Sequence, residues 1–134
     1  MNLQVVPLQW VHRTWPMVKD FIADALEHAK GDYTLDHVQS LVSSGAWTLV
    51  VGVEDDIIHG AATVSVSNRP ADRVAFITTI GGKLVINDET FEQVKAIAVS
   101  MGATVLECAA RESMTRLLGR YGFEEKYRIV GVKL

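Results

Sequence analysis

The sequence has little of what several specialised protein classes need. It contains one cysteine, Cys108, among 134 residues, so no disulfide can form within the chain. A reducing compartment suits that count, and we expect the cytoplasm or a particle assembled there. No window approaches the roughly 18–20 continuous apolar residues of a membrane span. The first residues also lack the basic lead-in and apolar run of a signal peptide.

Clusters of basic charge are scarce as well. The net charge is −3, and the basic residues that come closest to forming a cluster are Arg111, Arg116 and Arg120. Nucleic-acid binders usually show a basic face, so nucleic acid is not expected as the main partner. Hydrophobic residues make up 49% and charged residues 22%, which is ordinary for a soluble fold. The length predicts one domain over 1–134.

Two hydrophobic periods alternate along the chain. Val18 and Ile22 belong to a helical stripe, for which Thr14 is the predicted N-cap and Pro16 lies in the first turn. Elsewhere apolar and polar residues alternate as in strands. The predicted elements are a strand at 2–7, helices at 14–29 and 34–43, strands at 46–54, 58–68 and 73–80, a helix at 89–103, a strand at 104–110, a helix at 112–122 and a strand at 124–134.

This order, β-α-α-β-β-β-α-β-α-β, predicts an α+β (mixed α/β) fold in which a central mixed sheet has helices on both faces. It resembles the GNAT superfamily of N-acetyltransferases over nearly the whole chain. The residues that carry the resemblance lie in DDIIHGAATV, AIAVSMGATVLEC and RLLGRYGFEE, at Gly60, Ala98, Gly102, Leu117, Gly122 and Phe123.

The resemblance fails where that family holds the pyrophosphate of acetyl-CoA. Its loop has the form R/Q-x-x-G-x-G/A, and these positions fall at Gly82, Val85 and Asn87, none of which matches. Asp88 and Glu89 occupy the first turn of the next helix, where their charge opposes a diphosphate. Gly81-Gly82-Lys83 could instead hold phosphate or simply end the strand, and we favour the strand end. If acetyl-CoA binds, the resemblance implies backbone near Ile77, Thr78, Thr79, Gly81, Gly82 and Lys83.

The family's catalytic signals are also weak. The tyrosine that serves as general acid in the family corresponds to Leu118. Glu107 is the only charge in its predicted strand, and it is a candidate catalytic residue. It is either a general base whose pKa burial raises, or the partner of one of the arginines 111, 116 and 120. We favour the ion pair.

Other reactive residue types show no supporting pattern. Cys108 lies in an apolar run with no base paired to it by sequence, so we interpret it as a buried hydrophobe. The four histidines are not spaced as metal ligands, and no metal site is predicted, although His59 beside Gly60 could act as a base. They are His12, His28, His37 and His59.

The sequence therefore predicts a non-catalytic binding or assembly module that needs no cofactor. The region 74–123 is also similar to small GNAT-like virion proteins of short-tailed phages. The alternatives are an acetyl-CoA-dependent N-acetyltransferase and a binder of another small ligand between the fourth and fifth sheet strands. A protein partner or self-association is expected, and the interface candidates are Trp10, Tyr127, Ile129 and Val132.

Overall fold

A computed structural model describes residues 1–28, 31–84 and 86–134 of the chain. The end predicted for the first helix at Ala29, and the loop position Val85, lie outside these residues. In chain order the elements are β1 (Asn2–Val5), a 3-10 turn (Leu8–Trp10), α1 (Val11–Glu27), α2 (Leu35–Ser43), β2 (Trp47–Glu54), β3 (Ile57–Asn68), β4 (Arg73–Gly82), α3 (Asp88–Ser100), β5 (Val105–Cys108) and α4 (Glu112–Gly119).

The five strands form one mixed sheet in the order β1-β2-β3-β4-β5. The first four strands pair antiparallel, and β5 joins β4 in parallel after the α3 crossover. Asp55 and Asp56 join β2 to β3 with positive φ angles of 53° and 61°, the backbone of a tight two-residue hairpin turn. Aspartate tolerates this region better than most residues, since its short polar side chain bonds locally.

Helices cover both faces of the sheet, which confirms the predicted α+β fold class. The α1 and α2 stripes pack on one face, where Val18, Ile22 and Val38 are completely buried against Leu49 and other strand residues. On the opposite face α3 packs over a much smaller group of buried residues: Val50, Val64, Ala75 and Ala98. No helix among the described residues is long and apolar enough to cross a membrane.

The start of α1 was predicted wrongly. The helix begins at Val11, because the 3-10 turn at Leu8–Trp10 leads directly into it. Thr14 is therefore inside the helix, and its hydroxyl donates to the Trp10 carbonyl at 3.0 Å instead of capping. Pro16 also lies inside the helix, one turn later than predicted. At α2, Thr34 is the N-cap, in a reciprocal pair of hydrogen bonds with His37, so the helix begins one residue after the predicted start.

The last predicted strand is not formed. Residues 124–134 belong to no helix or strand, although their apolar residues alternate well enough to suggest one. Alternation makes a segment fit a half-buried sheet surface, but the segment also needs a neighbouring strand with which to exchange hydrogen bonds. No described strand pairs with this segment, which we call the C-terminal tail.

β4 runs two residues further than predicted and includes both glycines of the Gly-Gly-Lys sequence. Gly81 and Gly82 pair with Ala61 and Gly60 of β3. A Cβ atom on Gly81 would overlap the carbonyl oxygen of Phe21. The backbone of α1 can therefore come this close to the sheet only where the strand has a glycine. Packing alone therefore requires a glycine at this position.

We predict that Gly81→Ala destabilises the fold by about 1–3 kcal/mol or more, the usual cost of overpacking, because the added methyl group meets backbone that cannot move aside. Gly119→Ala is the matched control, since no atom lies within 4 Å of a Cβ added there. Urea unfolding of both variants measures the two costs. A Gly81→Ala variant as stable as Gly119→Ala would contradict the close approach of α1.

Candidate functional site

A gap opens in the sheet between the ends of β4 and β5. Their parallel pairing covers four residue pairs and ends at Ile77 and Cys108. β4 continues for five more residues, Thr78 to Gly82, still paired with β3 on its other edge. Among the described residues, no strand pairs with that part of β4 on the β5 side. Backbone donors and acceptors on this edge therefore have no strand partner among the described residues, and each needs another partner such as solvent or a ligand.

A β-bulge in β4 lies at the start of the gap. Thr63 of β3 is opposite Thr79 while Val64 is opposite Ile77, so Thr78 is the extra residue. Three threonine hydroxyls hold the bulge: Thr63 Oγ1 lies 2.7 Å from Thr78 Oγ1 and 2.6 Å from Thr79 Oγ1. The Thr78 hydroxyl also donates to the Thr63 carbonyl at 3.0 Å. Bulges of this kind bend a strand, re-aim its groups and recur beside active sites.

The loop after β4 is attached to the face of the sheet by Leu84. Gly52 and Gly60 are paired across β2 and β3 and leave a notch in the sheet surface. A Cβ atom on Gly60 would lie 2.7 Å from the side chain of Leu84, and one on Gly52 would be closer still. The loop thus packs onto apolar surface and, with a large apolar residue here, does not make a phosphate nest. This agrees with the absence of the family's loop glycines from the sequence.

The start of α3 satisfies its own backbone. Asn87 is the N-cap, and its side-chain oxygen accepts from the Thr90 amide at 2.9 Å while the Thr90 hydroxyl accepts from the Asn87 amide at 2.9 Å. Asp88 and Glu89 add two carboxylates to the first turn. A diphosphate at this point would meet an occupied amide and two negative charges.

Glu107 is held in ion pairs beside the gap. Its two carboxylate oxygens accept from the Arg69 guanidinium at 2.6 Å and 2.9 Å, and Oε2 also accepts from Lys126 Nζ at 2.6 Å. These bonds to Arg69 and Lys126 lower the pKa of Glu107 from 4.5 to about 2. The ion-pair interpretation had the wrong partners, because the bonds come from the β3–β4 loop and the C-terminal tail and not from the arginines of α4. A carboxyl with so low a pKa is a poor general base at neutral pH.

Cys108 and the histidines add no catalytic group to the gap. Burial raises the pKa of the half-buried Cys108 thiol, which leaves it less nucleophilic than a free cysteine. His59 Nε2 lies 3.3 Å from the Glu54 carbonyl of its own hairpin. In the part of the chain that the structure describes, no three metal-ligating side chains come together.

The four interface candidates predicted from the sequence are all exposed. Trp10 keeps 46% of its surface accessible beneath the guanidinium of Arg13, whereas Trp15 and Trp47 are buried, as the sequence predicts. In the C-terminal tail, Tyr127, Ile129 and Val132 expose 65%, 88% and 83% of their surface. Their part in an interface stays a prediction.

Comparisons with known proteins identify the fold. No protein-family model matches the sequence, and no curated protein does. Solved structures match over the whole chain. The ribosomal-protein-alanine N-acetyltransferase of Brucella melitensis biovar Abortus 2308 superposes with a TM-score of 0.70 at 12% identity, covering 100% of both chains.

The chain has the GNAT acetyltransferase fold. An aminoglycoside acetyltransferase from an uncultured soil metagenomic sample gives a TM-score of 0.69 at 13% identity, covering 99% of this chain and 95% of its own. A predicted acetyltransferase from Clostridium acetobutylicum, solved with acetyl-CoA, gives 0.64 at 11% identity, with 98% and 95% covered. At these identities the likeness establishes the fold.

These structures correct the functional prediction made from the sequence. A non-catalytic binding or assembly module was expected because the pyrophosphate loop is missing. Structures that match this chain end to end include several acetyltransferases, and these favour the alternative. The prediction from sequence considered only the part of the site that would hold the pyrophosphate. It could not detect the bulge at Thr78 or the gap beside it, since both depend on strand register.

The residues present fit one part of acetyl-CoA and not another. The bulge and the free edge of Thr78–Gly82 suit a thioester and its narrow pantetheine arm, which can bond to backbone groups as a strand does. The start of α3 does not suit the diphosphate, for the reasons given above.

We predict that the ion pairs of Glu107 make stability depend on acid pH. Because the pKa in the folded state lies below its ordinary value of 4.5, Glu107 contributes stability above about pH 4.5, and this is lost as pH falls towards 2. Unfolding free energies of the wild type and Glu107→Gln, measured by denaturant at pH 7 and pH 3, should therefore converge at the lower pH. Glu124→Gln is the control, as Glu124 is exposed. An equal difference at both pH values would contradict the ion pairs.

Proposed function

We propose that this chain is an acetyl-CoA-dependent N-acetyltransferase that binds the thioester in the gap between β4 and β5. The observation that carries the proposal is the combination of the bulge at Thr78 with the loss of β4–β5 pairing beyond Ile77 and Cys108. The end-to-end likeness to acetyltransferase structures supports it, including one solved with acetyl-CoA and one with CoA.

Acetyl-CoA, when bound, supplies a thioester whose carbonyl carbon accepts the nitrogen of an amine, so that a C–N bond forms and the C–S bond breaks. In this chain the backbone of Thr78–Gly82 would hold the thioester and the pantetheine arm in the gap. Fixed amides that point at a carbonyl oxygen stabilise the negative charge that develops there during acyl transfer. Holding the thioester and the amine in position supplies the rest of the rate enhancement.

Proton transfer is left largely to solvent. Glu107 has too low a pKa, and Leu118 stands where the resemblance implies a tyrosine. We therefore infer that the acceptor amine enters neutral and that the departing thiolate takes its proton from water. This predicts a rate that rises with pH as more of the amine loses its proton.

The site should bind acetyl-CoA more weakly than a phosphate-holding loop would allow. The carboxylates of Asp88 and Glu89 lie in the first turn of α3, so the nucleotide end receives no favourable charge there. The acceptor amines to try first are those in the names of the structural relatives, an aminoglycoside and an alanine of a ribosomal protein. We infer the cytoplasm as the location, where the free Cys108 remains reduced.

The direct test is calorimetric titration of acetyl-CoA together with an assay for release of free thiol with those amines. Residues 109 and 110 are exposed and follow the end of β5, so Ala109→Trp or Ala110→Trp should obstruct the gap and reduce binding at least tenfold. Ala71→Trp, at an exposed loop position away from the gap, is the matched control. No binding by the wild type at millimolar acetyl-CoA, or equal binding by all variants, would overturn the proposal.

We also propose that the C-terminal tail associates with a second copy of the chain. β5 ends the strand order, so one of its edges has no strand partner among the described residues. The tail is held to β5 by Lys126, which bonds to Glu107, and its apolar side chains beyond that point are exposed. Pairing of each tail with the β5 edge of the other copy would satisfy both the backbone and the apolar surface.

We predict that the full chain is a dimer in solution and that deletion of residues 127–134 makes it a monomer. Ile129→Lys combined with Val132→Lys should have the same effect, because it removes the apolar surface without shortening the chain. Arg128→Ala serves as control. Light scattering measures the mass of each. A monomeric full chain, or a dimer that survives the deletion, would contradict the association.

A further inference from the structure

An apolar cavity of about 90 Å³ lies between the sheet and α3. Its floor includes Ala62, Ile77 and Ile80 of the sheet, and α3 contributes Phe91 and Ala98. The polar exception in its lining, Thr90, is engaged with Asn87 at the helix cap. A cavity without polar partners for water stays dry and takes apolar ligands.

The chain's own side chains leave this space open. On the α1 and α2 face, ten buried residues form one close-packed group, whereas the corresponding group on the α3 face has four members: Val50, Val64, Ala75 and Ala98. Interiors are normally packed without voids larger than a water molecule, because each missing contact forfeits dispersion energy. An unfilled cavity of this size is therefore a cost to the free protein that a ligand would relieve.

The cavity adjoins the proposed thioester site. Ile77 is the last β4 residue paired with β5, and Ile80 lies just beyond the bulge at Thr78, so these two lining residues bracket the bulge. Leu118 of α4 also lines the cavity, where the resemblance implies a tyrosine. A group attached to a carbonyl at the bulge would therefore find apolar space on the α3 face of the sheet.

We propose that this cavity receives the alkyl chain of the acyl group, so that the preferred donor is a CoA thioester of a fatty acid of about four to six carbons. The inference rests on the proposed function and specifies its substrate class. A cavity of about 150 Å³ accommodates benzene, which has six carbons, so about 90 Å³ accommodates about three or four carbons. The first carbons of the acyl chain, next to the thioester at the bulge, lie outside this cavity. Transfer then forms the amide C–N bond of the longer acid, breaks the C–S bond and releases CoA as the thiol, while the amine gives up its proton to water.

Chain length is the variable to test. Acetyl-, butanoyl-, hexanoyl- and decanoyl-CoA are titrated into the protein by calorimetry under identical salt. Each methylene buried should strengthen binding about fourfold, which makes butanoyl-CoA, with two more methylenes, about fifteenfold tighter than acetyl-CoA. Affinity should rise again at hexanoyl-CoA and gain nothing at decanoyl-CoA, because the cavity is then full.

A pair of variants on one helix locates the effect. Ala98 is buried at the cavity, and Ala96 is exposed on the outer side of α3. Ala98→Leu should fill the cavity and bring the affinity for hexanoyl-CoA down towards that for acetyl-CoA, whereas Ala96→Leu should keep the difference. Ala62→Leu fills the same cavity from the sheet and replaces Ala98→Leu if that variant does not fold.

The outcomes separate this inference from the function on which it rests. If all four thioesters bind with equal affinity, or if affinity falls with chain length, the acyl cavity is overturned while acetyl transfer stands. If no thioester binds, both are overturned. A chain-length gain that persists unchanged in Ala98→Leu and Ala62→Leu would place the alkyl chain elsewhere and overturn the assignment to this cavity.

Discussion

Parallel pairing between β4 and β5 lasts for only four residue pairs, and the functional argument depends on where it ends. Up to Ile77 and Cys108 the two strands are joined as in any mixed sheet. Beyond that point β4 is held from the other side by β3 and by α1, which packs directly on Gly81. β4 can therefore remain extended although no described strand pairs with its other edge in this part.

The bulge at Thr78 and the close approach at Gly81 act together on this edge. The Thr63 hydroxyl, bonded to the hydroxyls of Thr78 and Thr79, fixes the bulge, and the carbonyl of Phe21 packs against the strand beyond it. Rigid backbone is what a thioester site needs, since donors that are already oriented cost no rearrangement during the reaction. The same fold leaves the α3 face underpacked, and the cavity there follows from small residues such as Ala62, Ala75 and Ala98.

Helix and strand periods predicted most of the fold. The stripe of α1, the position of α2 and the strands β2 to β4 all follow from local pattern and turn chemistry. The tail was mispredicted because Tyr127, Ile129 and Val132 have strand propensity, but no strand that the structure describes pairs with them. The start of α1 was missed because the 3-10 turn leads directly into the helix at Val11, with no capping residue before it in the sequence.

The site was harder to predict for a physical reason. A run such as Phe76 to Ile80 is rich in β-forming residues in any register, so the extra residue at Thr78 cannot be read from it. Likewise, Glu107 was expected to find its partner on α4, because the arginines there are near in sequence. Its partners are 38 and 19 residues away, and folding alone brings them together.

The most direct test of the thioester site is a two-dimensional amide NMR spectrum recorded during titration with acetyl-CoA. The account predicts that the largest shifts fall on the amides of residues 78–82 and on residues 109–111 across the gap, with small changes at Asp88 and Glu89. Shifts centred on the first turn of α3, or no shifts at millimolar ligand, would contradict a thioester site in the gap between β4 and β5.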